Sequence, residues 1–354
     1  MKKLLTLLLL AFTVSVSFAQ TVTKSIQPNL DTIYVTTTIK CDTLKSAVTH
    51  VYVPKPTTTV IGSIVSGPIV LKSNTTYSNL IIDLKGASTV GMYGYNVTNV
   101  HITNCKIINS LSYGIQIGNG TNITIDNNFI SNVGFGVNIY GNSSAIKVNN
   151  NQLLNINGID TKQLGHAIMF QTVSGGGNQI NYNRVENIAG VAIHPHDQIN
   201  VYKSNGLPGD SIQVIGNYVR GGQISLWPTT GSGAAGIVVG DVGGSYQVCR
   251  NNIVVNGGRV GIQAQGGNHI KVDHNIIYGA SLPITQVGLA WGNWSGASTS
   301  DVIYAYNKVR WLNSGGSEVD HWESNQNGAV ILISNIWAAP IDATILPATI
   351  ITFK

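Results

Sequence analysis

Apolar and polar residues alternate in short runs along most of this chain, and the same run keeps returning. Asn122-Ile-Thr-Ile-Asp-Asn-Asn-Phe-Ile130 and His269-Ile-Lys-Val-Asp-His-Asn-Ile-Ile277 are two copies. A period of two buries one face of a β-strand and leaves the other outside. The runs are too short and too β-branched for helices. Each unit reads as an alternating strand, an Asn, a second short strand, a Gly-containing turn, and then Gly-Ile-x-Ile or a variant such as Gly136-Val-Asn-Ile139.

The residue after the first strand aligns at Cys105, Asn128, Asn151, Asn183, Asn217, Asn252, Asn275 and Asn307, at separations of 23, 23, 32, 34, 35, 23 and 32 residues. A base period near 23 with inserted loops predicts a solenoid with three strands per coil. Asn suits a recurrent tight turn, because its side chain can hydrogen-bond up and down a stack.

These repeats resemble the right-handed parallel β-helices of the pectate-lyase-like superfamily over roughly residues 75 to 335. The resemblance implies an all-β fold, a right-handed parallel β-helix built as a three-sheet solenoid of about eight to ten coils. In that superfamily the sheets are called PB1, PB2 and PB3. The Asn turn then joins PB2 to PB3, and Gly-Ile-x-Ile is PB1. The expected boundaries are a signal peptide at 1–19, an N-terminal cap at 20–74, the β-helix at 75–335 and a C-terminal cap at 336–354. The caps would cover apolar ends and open strand edges.

The leader is read from Lys2 and Lys3, the apolar run Leu4 to Val16 and the small-x-small site Ser17-Phe18-Ala19. A secreted or periplasmic protein of bacterial type is expected, with no membrane insertion. Charged residues are only 10% of the chain, yet 43% hydrophobic residues argue against disorder. Without Lys2 and Lys3 the net charge falls to about +3, which suits an anionic glycan and is too weak for nucleic acid. Cys41, Cys105 and Cys249 read as buried thiols. A monomer acting on a polysaccharide is expected.

The long coils lie together between Asn151 and Asn252. Their insertions, placed at Asn155 to Gly165, His196 to Asp210 and Gly221 to Ala235, would wall a groove over PB1, since loops on a rigid scaffold carry function. PB1 of the central coil is read as Val191-Ala-Ile-His194, with Ala192 and His194 outward, Pro195 ending the strand, and His196 and Asp197 on the following turn. Neighbouring coils offer Gln171 on one side and Asp241, Gln263 and Gln265 on the other. His166 aligns with inward Tyr113 and reads equally as core or site. Trp227, Trp291 and Trp294 are candidate sugar-stacking residues.

His194-Pro-His-Asp197 resembles the Asp-Pro-His-Asp motif of mannuronan C5-epimerases, with His194 standing where that family has a catalytic Asp. The resemblance implies a uronate-directed site with His196 as the motif histidine. Uronate lysis or epimerisation starts with removal of the C5 proton, α to a carboxylate, so a base and a carboxylate clamp are needed. His194 or His196 is the candidate base, and Lys203, Arg184, Arg220, Arg250 and Arg259 are candidate clamps. Tyr202 is the candidate proton donor. Asp241 reads as a turn residue, a general acid, a Ca²⁺ ligand or a hydroxyl binder. The expected function is a polysaccharide lyase or C5-epimerase. Alternatives are a glycoside hydrolase using Asp197 and Asp241, or a non-catalytic glycan-binding protein. No metal site is assigned. The pair His194 and His196 with Asp197 is a usable ligand set, and Ca²⁺ is the one cofactor kept as a candidate.

Overall fold

A computed structural model describes residues 20–25, 32–39, 47–52, 63–65, 67–156, 165–188, 195–222, 235–292, 299–324 and 330–352. The expected signal peptide at 1–19 lies outside them. The chain divides into two compact units, 1–56 and 57–354. In the first, strands Gln20–Ser25, Thr32–Ile39 and Ala47–Tyr52 form an antiparallel sheet. In the second, parallel strands wind through three sheets in the expected order. Among the described residues PB2 is a ten-stranded sheet from Thr75–Ser78 to Val330–Ile333. Ser63–Val65 already pairs in parallel with Leu80–Ala87, so coiling starts ahead of the expected residue 75.

Burial follows from stacking identical strand positions. Ile115, Val137, Ile168, Ile199, Ile237, Ile262 and Leu289 occupy successive register positions in PB1, and each is fully buried. Such side chains each contribute about 1.5–3 kcal/mol of transfer free energy. Glycine precedes many of them because the next coil comes close. A Cβ on Gly261 would sit 2.5 Å from the Gly288 carbonyl oxygen.

The Asn column forms a continuous buried ladder. Asn128 donates to Asn151, Asn151 to Asn183, Asn183 to Asn217 and Asn217 to Asn252, at 2.9–3.1 Å. Asn252, Asn275 and Asn307 continue it, and Asn335 closes it. The residue before each ladder position takes a left-handed conformation, from Asn104 at φ 51° to Ser334 at φ 48°. Asn fills four of these preceding positions, Asn104, Asn127, Asn150 and Asn251, as its low left-handed cost allows. Cys105 and Cys249 are buried free thiols, as expected, and Cys41 lies outside the described residues.

The C-terminal segment runs back across PB3 rather than only covering the last coil. Arg220 donates to the Pro347 and Ala348 carbonyls, and Arg184 to the Ile350 carbonyl and the Thr352 hydroxyl. Glu186 accepts from the Ile350 and Ile351 N–H groups, and Gln152 from Thr352 N–H.

Candidate active site

Val191–His194, expected to form PB1 of the central coil, lies outside the described residues; the described PB1 strand of that coil is Asp197–Tyr202. It pairs in parallel with His166–Gln171 below and with Ala235–Asp241 above. Gly190-Val-Ala-Ile193 imitates the PB1 signature, but Gln198-Ile-Asn-Val201 holds the register, with Ile199 and Val201 fully buried. His196 and Asp197 therefore enter the strand instead of leaving it. Residues 197–202 of the second expected insertion are sheet. His194, Trp227, Trp294 and the insertion residues Asp160 and Lys162 lie outside the described residues.

Asp197 is almost wholly buried and fully occupied. One carboxylate oxygen accepts from Ala235 N–H at 2.9 Å; the other accepts from the Asn200 amide at 2.8 Å. The same oxygen lies 3.1 Å from Nδ1 of His196 and 3.6 Å from Nδ1 of His166. The His166 and His196 rings meet edge to face at 5.5 Å. His166 also contacts Phe135, ring centroid to ring centroid at 5.2 Å, so an aromatic stack holds it in the wall. The same Asn200 nitrogen bridges to Asp241 at 2.9 Å. A register shift between the Asn200 and Tyr202 pairings turns Asp241 towards that amide, as β-bulges beside sites do. Gly240, at φ 61°, sits in the irregularity, and a Cβ there would collide with the Gly266 carbonyl.

Electrostatics separates the four ionisable groups. Burial drives His166 down to about 4, so it is neutral at physiological pH. Burial also opposes the charge on His196, but Asp197 beneath it and Asp241 nearby outweigh that and raise it above its ordinary value. For Asp197, burial is overcome by His196, His166 and the Asn200 amide, which hold it well below the usual carboxylate range. Asp241 is pushed up to about 6, chiefly by burial, against the Asn200 hydrogen bond and with help from the Asp197 charge.

These groups border a cleft of about 570 Å³. His196, Asp197, Tyr202, Asp241, Arg259, Gln263 and Gln265 line it, as do His166, Asn200, Gln286 and Trp322, which the sequence reading did not assign to it. Gln171 and Lys203 are not among the lining residues; Lys203 packs its ammonium 5.2 Å from the Tyr202 ring centroid. Trp291 is buried against Tyr304, which removes it as a sugar platform. Arg184 and Arg220 hold the C-terminal segment, and Arg250 pairs with Asp273 at 2.8 Å. Among the described lysines and arginines, Arg259 alone lines the cleft.

His166, His196 and Asp197 bring one donor atom each within 4.8 Å of one another. Two imidazoles and one carboxylate suit a zinc-like ion better than Ca²⁺, which takes six to eight oxygens.

The fold and site together define a right-handed parallel β-helix protein with a histidine- and carboxylate-bearing cleft on PB1. Residues 66–231 match the family model described as the right handed beta helix region. A search of curated proteins found no match. Among solved structures the chain is similar to an exopolygalacturonase from Thermotoga maritima, at 12% identity and a TM-score of 0.48, covering 77% of this chain and 83% of that one. It is also similar to a periplasmic alginate epimerase, AlgG, at 12% identity and 0.46, covering 77% and 62%. An A-module of a mannuronan C-5 epimerase from Azotobacter vinelandii gives 13% and 0.25, over 78% and 86%.

Proposed function

We propose that this protein is an exported carbohydrate-active enzyme that abstracts the C5 proton of a uronate in an acidic polysaccharide, as a lyase or a C5-epimerase. One observation carries the reading: a partly exposed His196 stands on a buried Asp197 whose two oxygens are already committed, inside a cleft that also holds Arg259, Tyr202 and Asp241. The motif likeness at Pro195-His196-Asp197 supports the same substrate class.

In this reading Asp197 is a positioning residue. It stands 3.1 Å from the imidazole Nδ1 and supports its positive charge after proton transfer, as buried carboxylates do behind catalytic histidines. Arg259 pairs with the substrate carboxylate and stabilises the charge that develops there when C5 loses its proton to His196. The electron pair left at C5 then has two fates. It can form the C4–C5 double bond, breaking the C4–O bond while Tyr202 protonates the departing oxygen; or C5 is reprotonated from the opposite face. Gln263 and Gln265 supply amides for ring hydroxyls, while the buried Asn200 amide stays between the two carboxylates. A hydrolase using Asp197 as nucleophile fits less well, because that carboxylate presents no uncommitted oxygen to the cleft.

Incubation with alginate and polygalacturonate tests the reading. A lyase releases an ultraviolet-absorbing unsaturated uronate; an epimerase alters the polymer's uronate composition without cutting it. New reducing ends alone would replace the reading with hydrolysis.

The pH profile gives a second check. A base works deprotonated, so kcat/KM should rise through the raised His196 pKa, above the ordinary value of about 6.5. The Asp241 charge helps to raise it. Asp241→Asn should therefore move the acid limb to lower pH, and a limb that stays in place would remove Asp241 from the His196 environment.

A further inference from the structure

We infer that Trp322 is a distal binding platform for a pyranose ring of the same glycan chain, several residues away from the reacting uronate; the inference rests on the proposed cleft being a polysaccharide site. Trp322 lies in the last PB1 strand, His321–Ser324, directly above Ala290 in register. Asn200, Val238, Gln263, Ala290 and Trp322 form one column of successive coils. Coils are spaced ~4.8 Å apart, so Trp322 stands roughly 19 Å along the floor from Asn200. A 1,4-linked pyranose advances by roughly one such spacing, so a chain laid along the column reaches Trp322 about four rings from the chemistry.

The side chain is half exposed, and it lines the cleft. Its register neighbour Ala290 is small and buried, so at this end of the column the half-exposed indole is the surface on which the flat face of a sugar can rest. The strand beneath is held in place. His321 stacks between Trp291, at 5.7 Å, and Trp337, at 4.4 Å, and Trp291 Nε1 donates to Glu323 at 3.2 Å. Alternation then directs Trp322 to the groove side. A platform fixed in this way loses little side-chain entropy on binding. Arg259 immediately precedes the strand Val260–Ala264, four residues from Gln263 in the column and two coils from Trp322, so the distal position reads a ring face rather than a carboxylate.

Native gels cast with alginate or with polygalacturonate test this for Trp322→Ala, Trp322→Phe and the parent protein. The parent should be retarded by one polymer, Trp322→Ala should lose most of that retardation, and Trp322→Phe should keep much of it. On the retained polymer, Trp322→Ala should raise KM by about ten-fold or more with little change in kcat. On a trimer too short to span the column, the rise should be about two-fold or less. Equal effects on polymer and trimer, no effect on either, or no retardation of the parent would overturn the platform. His196→Ala separates the two readings: if it is still retarded through Trp322 while the parent shows no turnover, the platform stands and the assigned chemistry falls.

Discussion

Replacing His196 with alanine should lower kcat by about 10²–10⁴-fold, the range that removal of a positioned base produces. The side chain is partly exposed at the cleft, and its Nδ1 has no hydrogen bond of good geometry, so the coil stack loses no obligatory bond. Circular dichroism and the thermal midpoint should stay close to the parent values. Asp197→Asn should also lower kcat, but for a different reason: the imidazole loses the charge that supports its protonated form. That variant should show a downward shift of the acid limb that His196→Ala cannot show. Full activity in His196→Ala would dismiss the proposed base, whatever the substrate.

The second large effect concerns stability, and it lies in the Asn ladder. Asn183→Ala should destabilise the β-helix by about 2–5 kcal/mol, because it leaves the Asn151 N–H and the Val148 carbonyl buried without partners. Its side-chain bond to Asn217 and the bond it accepts from the Asn151 amide disappear as well, while the backbone N–H of residue 183 still reaches Asn217. The thermal midpoint, followed by calorimetry, should drop by roughly 5–15 °C. Asn119→Gly supplies the contrast, because Asn119 is left-handed at φ 51° and glycine keeps that conformation without the strain alanine would add. Asn119 also donates to an Asn one coil below, at 3.0 Å, but on the exposed side, where water replaces the bond. Its effect should stay within about 0.5 kcal/mol. Similar losses in both variants would mean that desolvation of the ladder is not what makes it stabilising.

The fold was legible because a solenoid writes the same physical demand many times. Each coil must bury one face of each strand and close one tight turn, so Ile and Val recur at period two and Asn recurs at the turn. Even the ladder's last member, Asn335, obeys the rule, though the 28-residue step from Asn307 conceals it. Register inside a coil is less well written. Gly190-Val-Ala-Ile193 satisfies the strand pattern as well as Gln198-Ile-Asn-Val201 does, and only pairing with His166–Gln171 separates them. That ambiguity hid Asn200, whose amide ties the two carboxylates together. His196, Asp197, Tyr202, Asp241, Arg259, Gln263 and Gln265 were found because polar side chains stand out beside an apolar strand. His166 was ambiguous because its parity is that of a core residue and only the coil's corner brings it to the cleft. Trp322 had no local signal; its importance comes from Ala290 and the coils below it.

The returning C-terminal segment has a consequence for folding. Nearly every bond between coils joins residues one repeat apart, so a bare stack can grow or fray coil by coil, as linear repeat arrays do. The bond from Thr352 N–H to Gln152 spans 200 positions, and those to Glu186 span 164 and 165. Contacts of such separation carry a large loop-closure cost and form only once the intervening coils are in place. The last residues of the chain therefore act as a latch on the central coils, coupling the loss of the final turns to the region that carries His196 and Asp241.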